Sequence, residues 1–341
     1  MSSPRTGEPS APRPRAATMV AVTARTYGGP EILATEELEV PTPGVGEVLV
    51  EVRATSLNAL DWHFLTGTPY LMRLMFGVRR PKRIVRGADV AGVVVAAGPG
   101  AARFDIGDRV FGEAPGGGCA GYLTVAETNV AAIPEGVTYE AAGATPVAGL
   151  TALQGLRTHG GVQPGERVLV NGAAGGVGTM AVQIAKALGA HVTAVCSTRN
   201  VEMVRRLGAD EVIDYTCEDF VTGGARFEVV LDNVGNRDPR DVRSVIVAGG
   251  RYVVVSGPKE NRWVDPLPYM VRARLAFVRS GVSFHQFTAA ADVADLTFLG
   301  DLLCSGRLIP EIERVIGLDG VADALAEIAS RHTRAKIVVA P

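Results

Sequence analysis

Residues 165–190, GERVLVNGAAGGVGTMAVQIAKALGA, constrain the fold more than any other stretch of the chain. Val168, Leu169 and Val170 form the short apolar run of a buried parallel strand. Val177, Ala181, Ile184, Ala185 and Leu188 then recur at helical spacing, until Gly189 ends the helix. Between strand and helix lies Ala173-Ala174-Gly175-Gly176-Val177-Gly178, which fits the G-x-G-x-x-G/A pattern with Ala in the first place. Gly175 lets the backbone approach a pyrophosphate, Gly178 lets helix and strand pack closely, and the helix N-terminus faces the phosphate charge. Strand, glycine turn and helix in that order predict a dinucleotide-binding unit. An ordinary strand-to-helix turn would need no such succession.

The 341 residues suffice for two domains with their own cores. A net charge of -2 leaves no overall basic excess for nucleic acid or an anionic membrane. The four cysteines, Cys119, Cys196, Cys217 and Cys304, contain no C-x-x-C pair and read as reduced thiols, which makes the cytoplasm the expected compartment. No apolar run reaches the roughly 18 residues of a membrane span, so no membrane insertion is expected.

Residues 1–17 are rich in Ser, Pro, Arg and Gly and are expected to form a disordered tail. Short strand-like runs follow at 19–24, 46–54, 90–97, 109–111 and 122–125, separated by turn residues. They predict a partly closed antiparallel body. After the glycine turn, strands are expected at 191–196, 211–215, 229–232 and 252–256, with a helix at 201–207. That alternation predicts an α/β, doubly wound parallel sheet with its ligand at the carboxyl ends of the strands. Beyond residue 289 the pattern turns helical, with Val321, Leu325 and Ile328 facing a core, and ends in a strand at 335–339 that returns to the first domain.

Seven short motifs occur in the order expected of one family: Asn58-Ala59-Leu60-Asp61, Gly87-Ala88-Asp89-Val90-Ala91-Gly92, Gly107-Asp108-Arg109-Val110, Gly149-Leu150-Thr151-Ala152, the turn at 172–178, Leu207-Gly208-Ala209-Asp210 and Gly249-Gly250-Arg251-Tyr252-Val253. From about residue 19 onward the chain resembles a zinc-free medium-chain dehydrogenase/reductase of the quinone oxidoreductase, or zeta-crystallin-like, group. The resemblance implies a discontinuous GroES-like β-rich domain (18–145 and 288–341) carrying an inserted Rossmann domain (146–287). It also implies a homodimer joined at sheet edges, with 281–284 as the candidate edge strand. Where the zinc branch of that superfamily has Cys, His and Cys, this chain has Asn58, Ala88 and a residue near Ala144, so no metal is expected.

NAD enzymes of this fold place an acid at the tip of the second strand to bind the ribose hydroxyls. Here Cys196 stands there, followed by Ser197, Thr198, Arg199 and Asn200, and Arg199 suits a 2′-phosphate. NADPH is therefore the expected cofactor. By resemblance Tyr215 lies against the adenosine phosphate and Arg331 approaches the cofactor. Ala174, Gly175, Gly176 and Val177 would line the pyrophosphate; Thr151, Asn233, Ser256 and Phe284 would border the nicotinamide. Asp232 is expected to be a structural hydrogen-bond partner.

Hydride transfer asks side chains mainly for positioning and for stabilisation of developing charge. The resemblance implies that Asn58, with Asp61 and His63 behind it, faces the cleft; these three, and Tyr70 on a loop that could close over a substrate or simply cover core, are the candidate catalytic residues. Residues 71–83 read as a pocket wall or lid, with a docking surface as the alternative. The expected activity is hydride transfer to a small-molecule quinone or α,β-unsaturated carbonyl. An enoyl-thioester reductase and a non-catalytic NADPH-binding redox sensor are the alternatives, and no nucleic-acid partner is expected.

Overall fold

The computed structural model describes residues 16–258, 261, 263, 266–330 and 333–341. The expected tail at 1–17 lies almost wholly outside the described residues. Two large sheets organise the chain. Six parallel strands form one, in the order Glu211–Asp214, His191–Cys196, Arg167–Asn171, Phe227–Asp232, Ile246–Val254, Ser283–Gln286. In chain order this is the 3-2-1-4-5-6 arrangement of a doubly wound nucleotide-binding sheet. Its strands alternate between two cores: Val168, Val170, Val229 and Leu231 pack on one face, and Leu169, Val230, Tyr252 and Val254 on the other. Met180, Ala181 and Ile184 of helix Gly176–Ala187 cover the first face. Tyr269, Ala273 and Phe277 of helix Leu267–Phe277 cover the second. Burial on both faces is why these strands are near-continuous Val, Ile, Leu and Ala.

The second sheet has seven strands. Ile312–Ile316, Lys336–Val339, Glu47–Leu57, Asp89–Ala97, Arg109–Glu113 and Val130–Ala132 lie in that order, and Tyr122–Ala126 also pairs with Glu47–Leu57. The last strand does return to the first domain: Ile337 and Val339 register with Leu57 and Thr55 in antiparallel pairing. Thr18–Thr23 and Ala34–Glu39 form a separate hairpin. Val48, Val50, Val90, Val94, Val110 and Leu123 fill the core on this sheet.

Ala34–Glu39, Val130–Ala132 and Ile312–Ile316 are strands beyond those the sequence pattern suggests. The first is Ala-Thr-Glu-Glu-Leu-Glu and has no buried residue, so no apolar run announces it. Residues 71–83 contain two short turns of helix, Tyr70–Met72 and Arg73–Phe76. No helix among the described residues is long and apolar enough to cross a membrane.

Candidate functional site

At the carboxyl end of Arg167–Asn171 the chain turns through Gly172, whose φ of 78° lies in the left-handed region that glycine favours. Only glycine fits at 178, because a Cβ there would stand 2.1 Å from the Gly172 carbonyl oxygen. At Gly175 a Cβ would meet nothing nearer than 3.8 Å and would project into free space beside the turn. Gly175 caps helix Gly176–Ala187 without a side-chain hydrogen bond, leaving the first N–H groups available to an anion.

A cleft of about 860 Å³ lies over this turn. Ala174, Gly175, Gly176, Val177, Cys196, Ser197, Arg199, Tyr215, Asn233 and Ser256 line it on the six-stranded sheet's side. Leu57, Asn58, Ala59, Lys336 and Ile337 line it from the seven-stranded sheet. Three buried polar atoms that border the cleft have no hydrogen-bond partner: Asn200 Oδ1, Asn233 Oδ1 and Thr333 Oγ1. Buried polar atoms are ordinarily paired, so these fit the polar groups of a dinucleotide, as does the open cradle at Gly175. Asp232 is held inside: Oδ1 accepts from Asn171 Nδ2 and from the Val234 and Gly235 N–H groups, and Oδ2 accepts from the Tyr252 hydroxyl. It is the structural partner expected.

Two residues expected near the cofactor are placed otherwise, and a third lies outside the described residues. Thr151 uses its hydroxyl to donate to the Val147 carbonyl at 2.6 Å within its helix and does not line the cleft. Phe284 packs into the sheet's second core, with its ring centroid 5.9 Å from that of Tyr252 and 6.0 Å from that of Phe277. In register with Tyr252, it turns its ring to the face that helix Leu267–Phe277 covers. Arg331 lies outside the described residues.

Of the four candidate catalytic side chains, only Asn58 lines the cleft. Its amide is fully engaged: Nδ2 donates to Asp89 Oδ2 at 2.8 Å and to the Ser56 carbonyl at 3.3 Å, and Oδ1 accepts from Lys336 Nζ at 2.5 Å. Asn58 is therefore a part of a polar network, with neither N–H left over for substrate. Asp61 is wholly buried and accepts from the Asn58 and Gly87 backbone N–H groups at 2.8 and 3.1 Å. It fixes the start of helix Ala59–Thr66 and touches no cleft, which corrects its expected catalytic role. His63 Nδ1 lies 2.6 Å from the Thr68 carbonyl oxygen, at the end of the same helix. Tyr70 packs edge-on against Trp263, with centroids 4.9 Å apart, and the Arg73 guanidinium stands 4.5 Å from its ring. Neither His63 nor Tyr70 lines the cleft; His63 packs at the end of its helix and Tyr70 within its loop.

The residue missed by sequence reasoning is Lys336. It is 2% exposed, and its ammonium contacts Asp89 Oδ2 at 3.3 Å and the Leu57 carbonyl at 3.4 Å as well as Asn58. Asp89, itself fully buried, also accepts from the Ser56 hydroxyl and from the Val147 N–H. The only signal in the sequence was a lysine opening an otherwise apolar strand, beside a lone acid in Gly-Ala-Asp-Val-Ala-Gly. Next to it the backbones of both halves meet: the Ala335 N–H donates to the Ala174 carbonyl at 2.9 Å. Burial pushes the Asp61 carboxyl up to about 6, and the Asp89 charge adds to the effect. Glu113, paired across the strands with Asp89, is raised to about 7, again mainly by burial.

The comparisons agree with this architecture. Residues 44–135 match the alcohol dehydrogenase GroES-like domain, and residues 207–339 match the family described as zinc-binding dehydrogenase. The chain is 32% identical over 339 residues to the chloroplast envelope quinone oxidoreductase homolog of Arabidopsis thaliana, covering 95% of this chain and 98% of that one. It is 33% identical to the trans-enoyl reductase pgmF of Aspergillus terreus, over 87% of this chain and 86% of that protein. The quinone oxidoreductase structure from Coxiella burnetii superposes with a TM-score of 0.83 at 26% identity, covering 95% of this chain and 99% of that one. The chain belongs to the medium-chain dehydrogenase/reductase superfamily, in its quinone oxidoreductase group: an oxidoreductase whose Rossmann-like fold binds a nicotinamide cofactor. Among the described residues no cluster of three or more His, Cys, Asp or Glu is placed to hold a metal ion.

Two outcomes follow from the buried network. Lys336→Met leaves Asp89 charged and without its cation, and should cost about 3–5 kcal/mol of stability by urea denaturation. Lys336→Met with Asp89→Asn removes both charges and should recover part of that loss; an equal or larger loss would show the charges are not coupled. For Glu113, a folded-state value above the unfolded one means the folded chain holds the extra proton. Its contribution is therefore favourable at low pH and is lost as pH rises from about 4 to about 7. Glu113→Gln should match the wild-type melting temperature near the lower end of that window and exceed it near the upper end. Thermal melts across pH check this, and parallel curves would refute it.

Proposed function

We propose that this protein is a zinc-independent, NADPH-dependent reductase that transfers hydride to a quinone or an α,β-unsaturated carbonyl. The observation that carries the cofactor choice is the tip of the second strand, where Cys196, Ser197 and Arg199 line the cleft and no acid stands at the ribose position. An acid there would repel a 2′-phosphate, whereas a guanidinium and a hydroxyl attract it. Bound NADPH supplies the hydride.

In this reading the chain's own part is to bind and orient. Ala174, Gly175, Gly176 and Val177 present backbone N–H groups to the pyrophosphate, Ser197 and Arg199 hold the 2′-phosphate, and Tyr215 flanks the adenosine. Asn233 and Ser256 border the nicotinamide. Asn58, clamped by Lys336 and Asp89, forms the facing wall. Asn58, Ala88 and Ala144 offer no thiolate, imidazole or carboxylate at the zinc branch's ligand positions. The names of the Arabidopsis and Coxiella relatives support a quinone as acceptor, and that of the Aspergillus relative, a trans-enoyl reductase, supports an enoyl substrate as the second reading. A homodimer is supported by the edge strand Ser283–Gln286 and by the exposed stripe Leu267, Val271 and Leu275 on the neighbouring helix.

Steady-state oxidation of NADPH against small quinones, enones and enoyl thioesters tests the reaction, and no turnover with any of them would overturn it. Turnover should survive exhaustive chelation. Arg199→Ala should weaken NADPH about ten- to a hundredfold, seen mainly in the cofactor's KM, while NADH is almost unaffected. Equal losses for both cofactors would assign Arg199 to the fold alone.

A further inference from the structure

The net charge of -2 conceals a local extreme. Between Trp62 and Ala88 there is no Asp or Glu, while Arg73, Arg79, Arg80, Lys82, Arg83 and Arg86 all fall there. The same stretch carries large apolar side chains that the fold leaves in solvent. Leu71 is 51% exposed, Leu74 68%, Met75 69% and Val78 63%. Leu74, Met75 and Val78 fall on and just after the short helix Arg73–Phe76, and Arg79, Arg80, Lys82 and Arg83 follow at once, all exposed. At the other end Tyr70 meets Trp263, whose ring is 68% exposed and adds an aromatic to the patch.

A second observation lies beneath. A cavity of about 220 Å³ is walled by Phe64, Met75 and Phe76 and by Lys82, Arg83 and Arg86. Arg86 is only 3% exposed, yet its Nε has no hydrogen-bond partner. Burial lowers the pKa of its guanidinium, and the Asp61 charge opposes that. An apolar wall beside a buried cation with an unused donor suits an acyl chain carrying an anionic head.

We propose that residues 70–83 form a peripheral docking surface for an anionic phospholipid bilayer, with Leu71, Leu74, Met75 and Val78 entering the headgroup boundary and Arg79, Arg80, Lys82 and Arg83 meeting lipid phosphates. Charge complementarity selects the occupant: aliphatic side chains followed by four exposed cations, in a stretch from residue 62 to 88 that contains no Asp or Glu, repel a second copy of the same stretch and attract an acidic membrane surface. The proposal is independent of the cofactor and acceptor assigned above.

Flotation of the full chain with vesicles tests it, using phosphatidylcholine alone and phosphatidylcholine mixed with phosphatidylglycerol. Binding is expected only with the anionic mixture, and should weaken as salt is raised. Each basic side chain near such a surface contributes about a fivefold factor in affinity, so Arg79→Ser with Arg80→Ser should weaken binding roughly twentyfold or more. Leu74→Asp should reduce it further at unchanged NADPH affinity. Both sites are exposed, so circular dichroism should show the wild-type fold. Equal flotation with both vesicle types, no flotation at all, or wild-type binding by these variants would overturn the proposal. So would a change in oligomeric mass on Leu74→Asp by light scattering, which would make the patch a contact between copies of this chain.

Discussion

The Lys336 ammonium, sealed between the Asp89 carboxylate and the Asn58 carboxamide, is the contact on which the arrangement of the cleft depends. A buried cation is tolerable only when paired and hydrogen-bonded, and this one engages Asn58, Asp89 and the Leu57 carbonyl. Through Asp89 the pair reaches Ser56 and the Val147 N–H at the start of helix Pro146–Leu153. Through Asn58 it reaches helix Ala59–Thr66. One charge pair thus sets the mutual positions of a strand from the end of the chain, two strands from its first third and two helices.

Beside that network the carboxylate of Asp61 is buried and that of Glu113 partly buried, each at an energetic cost, which is why both are raised. Asp61 offsets part of this by accepting two backbone N–H groups that no other side chain serves. Such a residue is easily mistaken for a catalytic acid in a sequence. Its enclosure shows instead that it orients Asn58 and Gly87, acting on the wall of the cleft through the backbone.

Much of the fold was legible because it rests on local signals. The glycine turn, the continuous apolar strands and the helical spacing after residue 176 each follow from the chemistry of neighbouring residues, and the six-stranded sheet follows from their alternation. The strand at Ala34–Glu39 was not legible, since its pairing with Thr18–Thr23 is made by backbone groups and its side chains bury nothing. That Gly175, Ser197, Arg199 and Asn233 line the cleft was legible from motif and position. Lys336 was not, because its partners lie about 250 residues or more away in sequence and only folding brings them together. Phe284 failed because its place was carried over by resemblance, while its ring packs with Tyr252 and Phe277 in the second core.

The bond from the Ala335 N–H to the Ala174 carbonyl ties the phosphate turn to the last strand of the other sheet. The two are then linked thermodynamically, in both directions. Whatever grips the turn also holds down the carboxyl-terminal strand, so a bound dinucleotide acts as a rivet for a segment far from its own sheet in sequence. Conversely, loosening that strand loosens the grip. Proteolysis starting at the carboxyl-terminal strand is therefore expected to slow as the cleft fills.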